Sequence, residues 1–459
     1  MKLNGKDFEN LGLKGYCIGE SVRIYKKYYI DDPETMKQKI ESIIKDPQSY
    51  LTDEVFKELA KRLYIPPKVE NEYKLLETSV PYKVYGKENI EDTAIEQMNT
   101  ACQLPVSKYG ALMPDGHSGY GLPIGGRLAV KDAIIPFGVG VDIGCMMHLT
   151  IFDINPSYLK SYKDKLKKAL ETETRFGVGS CFETSVKNEH EIIDDSAFNE
   201  LSLLKGFKQK AHSQLGSSGS GNHFVEFGIY NDDKIALLSH SGSRQLGSLI
   251  ATAYTKIAIE SCKLPSHAKN LAWLDINSEA GQEYWLGMHL AGNYAIANHE
   301  CIHKRLIKAI GWGKDIIQEI KNHHNFAWKE TINDEELIVH RKGATPAYEN
   351  MMGIIPGSMA TKSYVVTGLG NKDALYSSSH GAGRKMSRTK ARNSFTMSAM
   401  KKDLKAKDIE LIGGAIDEST FAYKDIDEVI AIQTKEGLID IVGSFFPKIV
   451  KMSTDKGED

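Results

Sequence analysis

The stretch Pro136-Phe137-Gly138-Val139-Gly140-Val141-Asp142-Ile143-Gly144-Cys145-Met146-Met147 constrains this chain more than any other. Its glycines let the backbone take a tight course, and Asp142 and Cys145 fall three residues apart, so one turn aims both side chains at one point. A carboxylate and a thiolate so placed can share a cation. The competing reading is a buried strand end with an inert core cysteine, because free Cys is among the most buried residue types. What separates the two is the rest of the chain, where single histidines recur inside other glycine-rich or polar stretches.

Met113-Pro114-Asp115-Gly116-His117-Ser118-Gly119-Tyr120-Gly121 surrounds an acid and a histidine with glycine, as where a backbone passes close to a ligand; a turn-rich loop is the alternative. Gly216-Ser217-Ser218-Gly219-Ser220-Gly221-Asn222-His223-Phe224-Val225-Glu226 leads from a Gly/Ser loop into a strand. On an extended chain His223 and Val225 face one way and Asn222 and Phe224 the other, so one polar side chain is buried, and a metal or phosphate ligand would account for it. Leu237-Leu238-Ser239-His240-Ser241-Gly242-Ser243-Arg244 repeats the pattern. In Ser377-Ser378-Ser379-His380-Gly381-Ala382-Gly383-Arg384-Lys385-Met386-Ser387-Arg388 a histidine is followed within eight residues by three cations. An accessible imidazole with charge neutralised nearby suits a nucleophile for phosphorus. Arg341 and Lys342, beside Gly343, read as a phosphate grip. The loop Ile355-Pro356-Gly357-Ser358-Met359-Ala360-Thr361-Lys362-Ser363 is not a Walker A sequence, since its Gly-Lys-Ser/Thr ending is absent.

Composition narrows the class. With 459 residues, 41% hydrophobic and 26% charged, the chain can build a sizeable core, and no run approaches ~18 consecutive apolar residues. No membrane span is expected. The N-terminus lacks a signal peptide's apolar core, which predicts a cytoplasmic address. Six cysteines without paired spacing argue against a disulfide framework. A net charge of −2 gives no global sign of nucleic-acid binding, but Arg384 to Lys407 holds nine Lys or Arg against one acid, Asp403. Such a run reads either as a phosphate-facing patch or as a solvated helix face.

Taken in order, residues 1–79 read as a small helical extension, starting at Asp31-Asp32-Pro33 and stopped by Pro66-Pro67. A strand near Val84 leads into a helix from Ile90 to Leu104. Residues 157–175 form an amphipathic helix, and 187–210 a surface helix and connector. Gly281 to Ile310 is a long helix with a stripe of Tyr284, Met288, Ala291, Ala295, Ile302, Leu306 and Ile310, leaving His289, His299 and His303 on its polar face. Asp417 to Val429 reads as an alternating strand, and residues 452–459 as a disordered tail.

Val141-Asp142-Ile143-Gly144-Cys145, Gly221-Asn222-His223-Phe224-Val225-Glu226, His240-Ser241-Gly242-Ser243-Arg244, His340-Arg341-Lys342-Gly343-Ala344, Pro356-Gly357-Ser358-Met359 and His380-Gly381-Ala382-Gly383-Arg384 occur in this order. Together they resemble the RtcB family of RNA-splicing ligases, over residues 80–451. The resemblance implies an α+β fold, a single large catalytic domain with a mixed β-sheet core and surrounding helices. It implies a ligase dependent on GTP and two Mn²⁺ that joins RNA ending in a 2′,3′-cyclic phosphate or 3′-phosphate to RNA with a 5′-hydroxyl, in RNA repair or tRNA splicing. An activating protein partner is possible in such a system.

By the same resemblance His380 is the catalytic nucleophile, forming a histidine-guanylate. The metal ligands are Asp142, Cys145, His223, His240 and His324, with Cys145 bridging. Guanylate binding falls to Asn222, His223, Phe224, Val225, Glu226, His324, Asn325, Pro356, Gly357, Ser358, Met359, Ser363, His380, Gly381, Ala382, Gly383 and Lys451. Arg244, Arg384 and Arg388 are the candidates for RNA phosphates, while Asp115 and His117 lie in a matching motif without an assigned role. Imidazole and thiolate alone suit zinc, iron or cobalt as well, so manganese comes from the resemblance and not from the spacing. Met146 stands where the family usually has Gly, Ala360 replaces another Gly, and His299 replaces an Arg; Met146 and Ala360 are expected to narrow the site. The alternative activity is a metal-dependent cyclic phosphoesterase that opens ends without resealing them.

Overall fold

A computed structural model of the chain describes residues 2–64 and 71–454. Two compact units divide it, Met1–Val69 and Glu70–Asp459. In the first, helices Gly5–Asn10, Tyr16–Tyr28, Pro33–Lys45 and Lys57–Leu63 enclose Phe8, Ile24, Met36, Ile40, Ile43, Phe56 and Leu59. Local chemistry sets their starts: Asn4 and Asp7 form a reciprocal capping box, and the Asp32 carboxylate accepts the Thr35 N–H ahead of Pro33 at the first helical position. The expected stop at Pro66-Pro67 lies outside the described residues.

The larger unit takes up the chain earlier than the expected boundary at Val80. Asn71–Glu72 pairs in parallel with Cys262–Lys263, and the Leu76 and Val80 N–H groups donate to the Gln103 and Cys102 carbonyls. These bonds reach partners distant in sequence, which no local pattern reveals.

Two mixed sheets build this unit. The first has eight strands, ordered Ile316–His323, Met146–Phe152, Lys234–Ser241, Phe224–Tyr230, Ile439–Met452, Ser363–Gly368, Met352–Ile355, with Glu410–Gly413 added in parallel to Ile439–Met452. The second has five, ordered Asn325–Ile332, Glu335–Lys342, Ile124–Val130, Ser107–His117, Tyr82–Val84. His324 is the single residue between a strand of one sheet and a strand of the other. The fold is therefore α+β with helices outside, as the sequence led us to expect.

The helix Glu279–Ile310 covers one face of the first sheet. It is capped by Ser278 and ended by left-handed Gly311, and its Ile302, Leu306 and Ile310 pack with Phe152, Phe227 and Leu237. Each such buried side chain contributes roughly 1.5–3 kcal/mol of transfer free energy. Met147, Leu149, Ala236, Leu238, Ile354 and Phe445 fill a separate cluster that involves the opposite residues of the same strands.

Several expectations need correction. Asp417 to Val429 is not a strand: it forms 3₁₀ turns at Ile416–Glu418 and Thr420–Ala422, then the helix Ile426–Lys435. The Asp425 carboxylate caps that helix, and Ile426, Val429, Ile430 and Gln433 bury at helical spacing, which outweighs the local alternation. Residues 187–210 fold into short turns whose Ile192, Ile193, Phe198 and Leu204 are buried, not into a surface helix. His299 and His303 are buried, and His289 is half-buried against Trp285 and Phe326. Met452 ends a strand rather than opening a disordered tail; residues 455–459 lie outside the described ones.

Candidate metal centre and nucleotide cavity

Strand register explains how five residues spread over almost two hundred positions meet. Met146–Phe152 lies between two antiparallel neighbours, with Met146 opposite both His323 and Ser241, and Met147 opposite His240. Phe224 in turn lies opposite His240. The residue before Met146, the residue after His323 and the residue before Phe224 therefore gather at one end of the sheet. These are Cys145, His324 and His223, and His240 joins them.

The contacts are close. Cys145 Sγ lies 3.2 Å from His240 Nε2 and 3.5 Å from His223 Nε2, His240 Nε2 lies 3.2 Å from His324 Nε2, and His223 Nε2 lies 3.1 Å from Asp142 Oδ2. His240 Nδ1–H donates to the Asn222 carbonyl, which leaves Nε2 as a bare lone pair aimed at the thiol and at a second imidazole. His324 Nδ1 is buried without a hydrogen-bond partner. Burial, and then the neighbouring imidazoles of His223 and His380, pull His240 down to about 3. Burial and the adjacent Asp142 push the Cys145 thiol well up. Imidazoles, a thiol and a carboxylate packed this closely fit a cation, which would displace the thiol proton and take the facing nitrogen, sulfur and oxygen atoms as ligands.

The glycine spacing has a packing reason. Gly144 takes φ +75°, and a Cβ there would come within 2.8 Å of the Gly292 Cα on the long helix. Asn298, on that helix's buried stripe, accepts the Gly216 N–H and donates to the Ser217 and Gly242 carbonyls, tying two of the ligand-bearing loops together. A buried Asn at the next position of an apolar stripe was a signal the sequence held.

His380 follows Ser377–Ser379, which pairs with Ala344–Pro346. Its Nδ1–H donates to Asp115 Oδ2 at 2.7 Å, and its backbone N–H to the same oxygen at 3.1 Å. The ring is thus held with Nε2 as the free lone pair. Burial alone would raise the Asp115 carboxyl, but the hydrogen bond from His380, with the Arg127 and Lys424 charges, holds it below the usual range. Arg127 donates to the Gly125 and Ser378 carbonyls, and Lys424 to the Pro114 and Gly116 carbonyls. The sequence marks Asp115 without giving it a role, and nothing in it marks Arg127 or Lys424.

A cavity of about 700 Å³ opens over His380 and His240. Asn222, Phe224, Glu226, Pro356, Gly357, Ser358, Met359, Ser363, Gly381, Ala382, Gly383, Arg384 and Arg388 line it, with His117, Tyr120, Glu418 and Tyr423. Burial raises the Glu226 carboxyl well above its ordinary value, which favours the protonated acid where the side chain meets the cavity. Val225 points into the core instead. Asn325 braces the metal loop: its Nδ2–H donates to the Asp142 carbonyl and its Oδ1 accepts the Gly343 N–H. Lys451 is buried, and its ammonium donates to the Leu170, Glu171 and Thr174 carbonyls. Neither Met146 nor Ala360 lines the cavity; Met146 begins a core strand and Ala360 packs with Met400 and Leu404, so neither narrows it.

The cationic candidates are already engaged. Arg244 donates to Ser217 Oγ and the Gly177 carbonyl. Arg388 pairs with Asp417 at 2.9 Å and Glu418 at 2.5 Å, and Arg384 donates to the Asp417 carbonyl. Arg341 and Lys342 do not form a phosphate grip: Arg341 is buried on Glu330, Ser377 and the Leu375 carbonyl, and Lys342 donates to the Tyr120 and Phe137 carbonyls. A second histidine group, His148, His299 and His303, also has ring nitrogens within 4.8 Å of one another. There Ser239 bonds both His299 and His303, Thr150 bonds His303, and His148 stacks on His303 at 3.8 Å, which makes a hydrogen-bonded brace under the sheet.

The sequence profile of the family described as tRNA-splicing ligase RtcB matches residues 97–452. The RNA-splicing ligase RtcB of Escherichia coli strain K12 is 34% identical over 399 residues, covering 81% of this chain and 97% of the relative. The tRNA-splicing ligase RtcB of Nanoarchaeum equitans is 31% identical, covering 81% of this chain and 95% of the relative. That of Thermococcus kodakarensis is 29% identical, covering 80% and 94%. By profile, by identity over nearly the whole length of these relatives, and by its α+β architecture, this chain is a member of the RtcB family.

Proposed function

We propose that this protein is a GTP-dependent RNA ligase that joins a 3′-phosphate or 2′,3′-cyclic phosphate end to a 5′-hydroxyl end. The observation that carries the proposal is His380, held by buried Asp115 and lining the cavity beside the Cys145, His223, His240 and His324 cradle. With its Nδ1 proton held by Asp115, His380 presents Nε2 to the α-phosphorus of GTP. A phosphorus–nitrogen bond forms, the bond to the β-phosphate oxygen breaks, and pyrophosphate leaves. The guanylate then passes to the RNA 3′-phosphate, giving that end a leaving group that a bare phosphate lacks. The RNA 5′-hydroxyl attacks the activated phosphorus and GMP departs. A cyclic phosphate is first opened by water.

Asp142, Cys145, His223, His240 and His324 would hold two divalent cations, manganese by family resemblance, whose chemistry is to neutralise phosphate charge and polarise the phosphorus–oxygen bonds. Glu226 is placed to exchange hydrogen bonds with a bound base, and the Pro356–Met359 loop and Gly381 to Gly383 wall the cavity around it. Arg384 and Arg388 are offered to RNA phosphates at the rim, held in place by Asp417 and Glu418.

The test is incubation of purified protein with α-labelled GTP and Mn²⁺, followed by denaturing electrophoresis. We expect label on the protein that is acid-labile and absent from His380→Ala. Unlabelled protein that still opens cyclic phosphates would overturn the ligase in favour of the phosphoesterase.

A further inference from the structure

Tyr120 is the side chain that neither the metal centre nor the nucleophile accounts for. It lines the cavity, yet 74% of it is exposed. Large aromatic side chains normally bury their area, and one left in water at the rim of a site is unused apolar surface.

The loop beneath it is not loose. The Ser118 N–H donates to Glu91 Oε1 at 2.7 Å, and Ser118 Oγ meets Thr93 Oγ1 at 2.7 Å. The Gln97 amide brackets Gly119, donating to its carbonyl at 2.7 Å and accepting its N–H at 3.0 Å. The Lys342 ammonium donates to the Tyr120 carbonyl and, at 3.1 Å, to the Phe137 carbonyl. The ring leans on Phe137, with centroids 6.4 Å apart and planes at 52°. Three successive backbone positions are thus fastened while the ring stays in solvent. A rigid exposed aromatic loses little entropy when a flat partner stacks on it.

We infer that Tyr120 is a stacking platform for an unpaired nucleobase of the RNA substrate, next to the reacting end. This rests on the RNA ligase reading above. Topology assigns the ring to RNA and not to the guanine of GTP. Tyr120 follows a strand of the second sheet, Ser107–His117, whereas Phe224, Glu226 and Ser363 belong to strands of the first and Asn222 to the turn before Phe224. The cavity is lined by residues of both sheets, with His380 among them. Stacking is indifferent to base identity, which suits an enzyme reading an end and not a sequence.

The test uses the full chain with Mn²⁺ and no GTP, so that no turnover occurs. The probe is a short single-stranded RNA with a 3′-phosphate and 2-aminopurine as its last base. Binding is followed by anisotropy and stacking by quenching of 2-aminopurine. Alanine replacement of a base-stacking aromatic weakens binding by about fivefold to a hundredfold. Tyr120→Ala is expected to weaken binding within that range and lose the quenching, while Tyr120→Phe keeps both. Binding and quenching by Tyr120→Ala equal to wild type would overturn the inference and leave the ligase reading standing. In a separate incubation with labelled GTP, a Tyr120→Ala defect confined to adduct formation would assign the ring to guanine and also overturn it. Failure of the wild type to bind the RNA at all would instead overturn the reading on which it rests.

Discussion

At the scale of single residues, the site is built from groups that are wrong for water and right for ligands. Glu226 is a buried acid with no counter-charge, Cys145 a buried thiol beside a carboxylate, and His240 a buried imidazole with one nitrogen left bare. Such groups cost stability unless something binds them. Asp115 has the opposite task, since it fixes the tautomer of His380. Asp115→Asn keeps the size of the side chain but offers an N–H where His380 needs an acceptor. Formation of the guanylate adduct in single turnover is expected to fall by about two to four orders of magnitude. Metal content should be unchanged, because Asp115 lies outside the cradle. An adduct rate within threefold or so of wild type would remove Asp115 from the role. The candidate ligands were legible in sequence because His, Cys and Asp among glycines are costly to explain as packing. Asp115 and Arg127 were not, because their role is visible only once each has a partner more than two hundred positions away.

At the scale of elements, histidines recur as joints. His340 Nε2 accepts the Ile135 N–H at 2.9 Å, which fastens the strand Glu335–Lys342 to the turn that opens the metal loop. That bond requires a neutral ring, and burial pulls His340 from 6.5 down to about 4. The unfolded chain takes up a proton below pH 6.5 and the folded chain does not. The contribution is therefore complete above pH 6.5 and lost as pH falls through 6.5 toward 4, on the order of 3 kcal/mol. Urea unfolding of His340→Gln, whose amide oxygen can still accept that N–H, should lose less stability between pH 7 and 4 than wild type. Parallel pH curves for the two proteins would refute this. The motif containing His340 was visible in sequence as a candidate phosphate grip. Its structural use was not, because Arg341 finds Glu330 across the strand pair and Lys342 finds two carbonyls from other loops. The helix Glu279–Ile310 shows the same limit: its apolar stripe was legible, but His299 and His303 were assigned to the solvent face because Ser239 and Thr150 lie on strands elsewhere in the chain.

At the scale of the whole molecule, the candidate metal centre is where distant strands meet, so binding a cation there would stabilise the larger unit. A hundredfold excess of Mn²⁺ over its Kd is expected to stabilise the fold by about 2.7 kcal/mol for each site. Calorimetry with and without chelator should show that shift, and Cys145→Ala should abolish most of it; an unchanged melting curve on chelation would argue against the cradle. Among the described residues no helix is long and apolar enough to cross a membrane. By itself the sequence determined the helical spacing of the apolar stripe, the helix start at Asp32-Pro33, the α+β class through family resemblance, and the residue types able to hold a metal. Those are local properties or properties of order along the chain. Only the tertiary structure decided that the larger unit begins before Val80, that Asp417 to Val429 is turn and helix, that Met146 and Ala360 stay out of the cavity, and that Asp115 orients His380. Each of those depends on a contact between segments far apart in sequence, and the free energy of such a contact is set by a partner that no local pattern names.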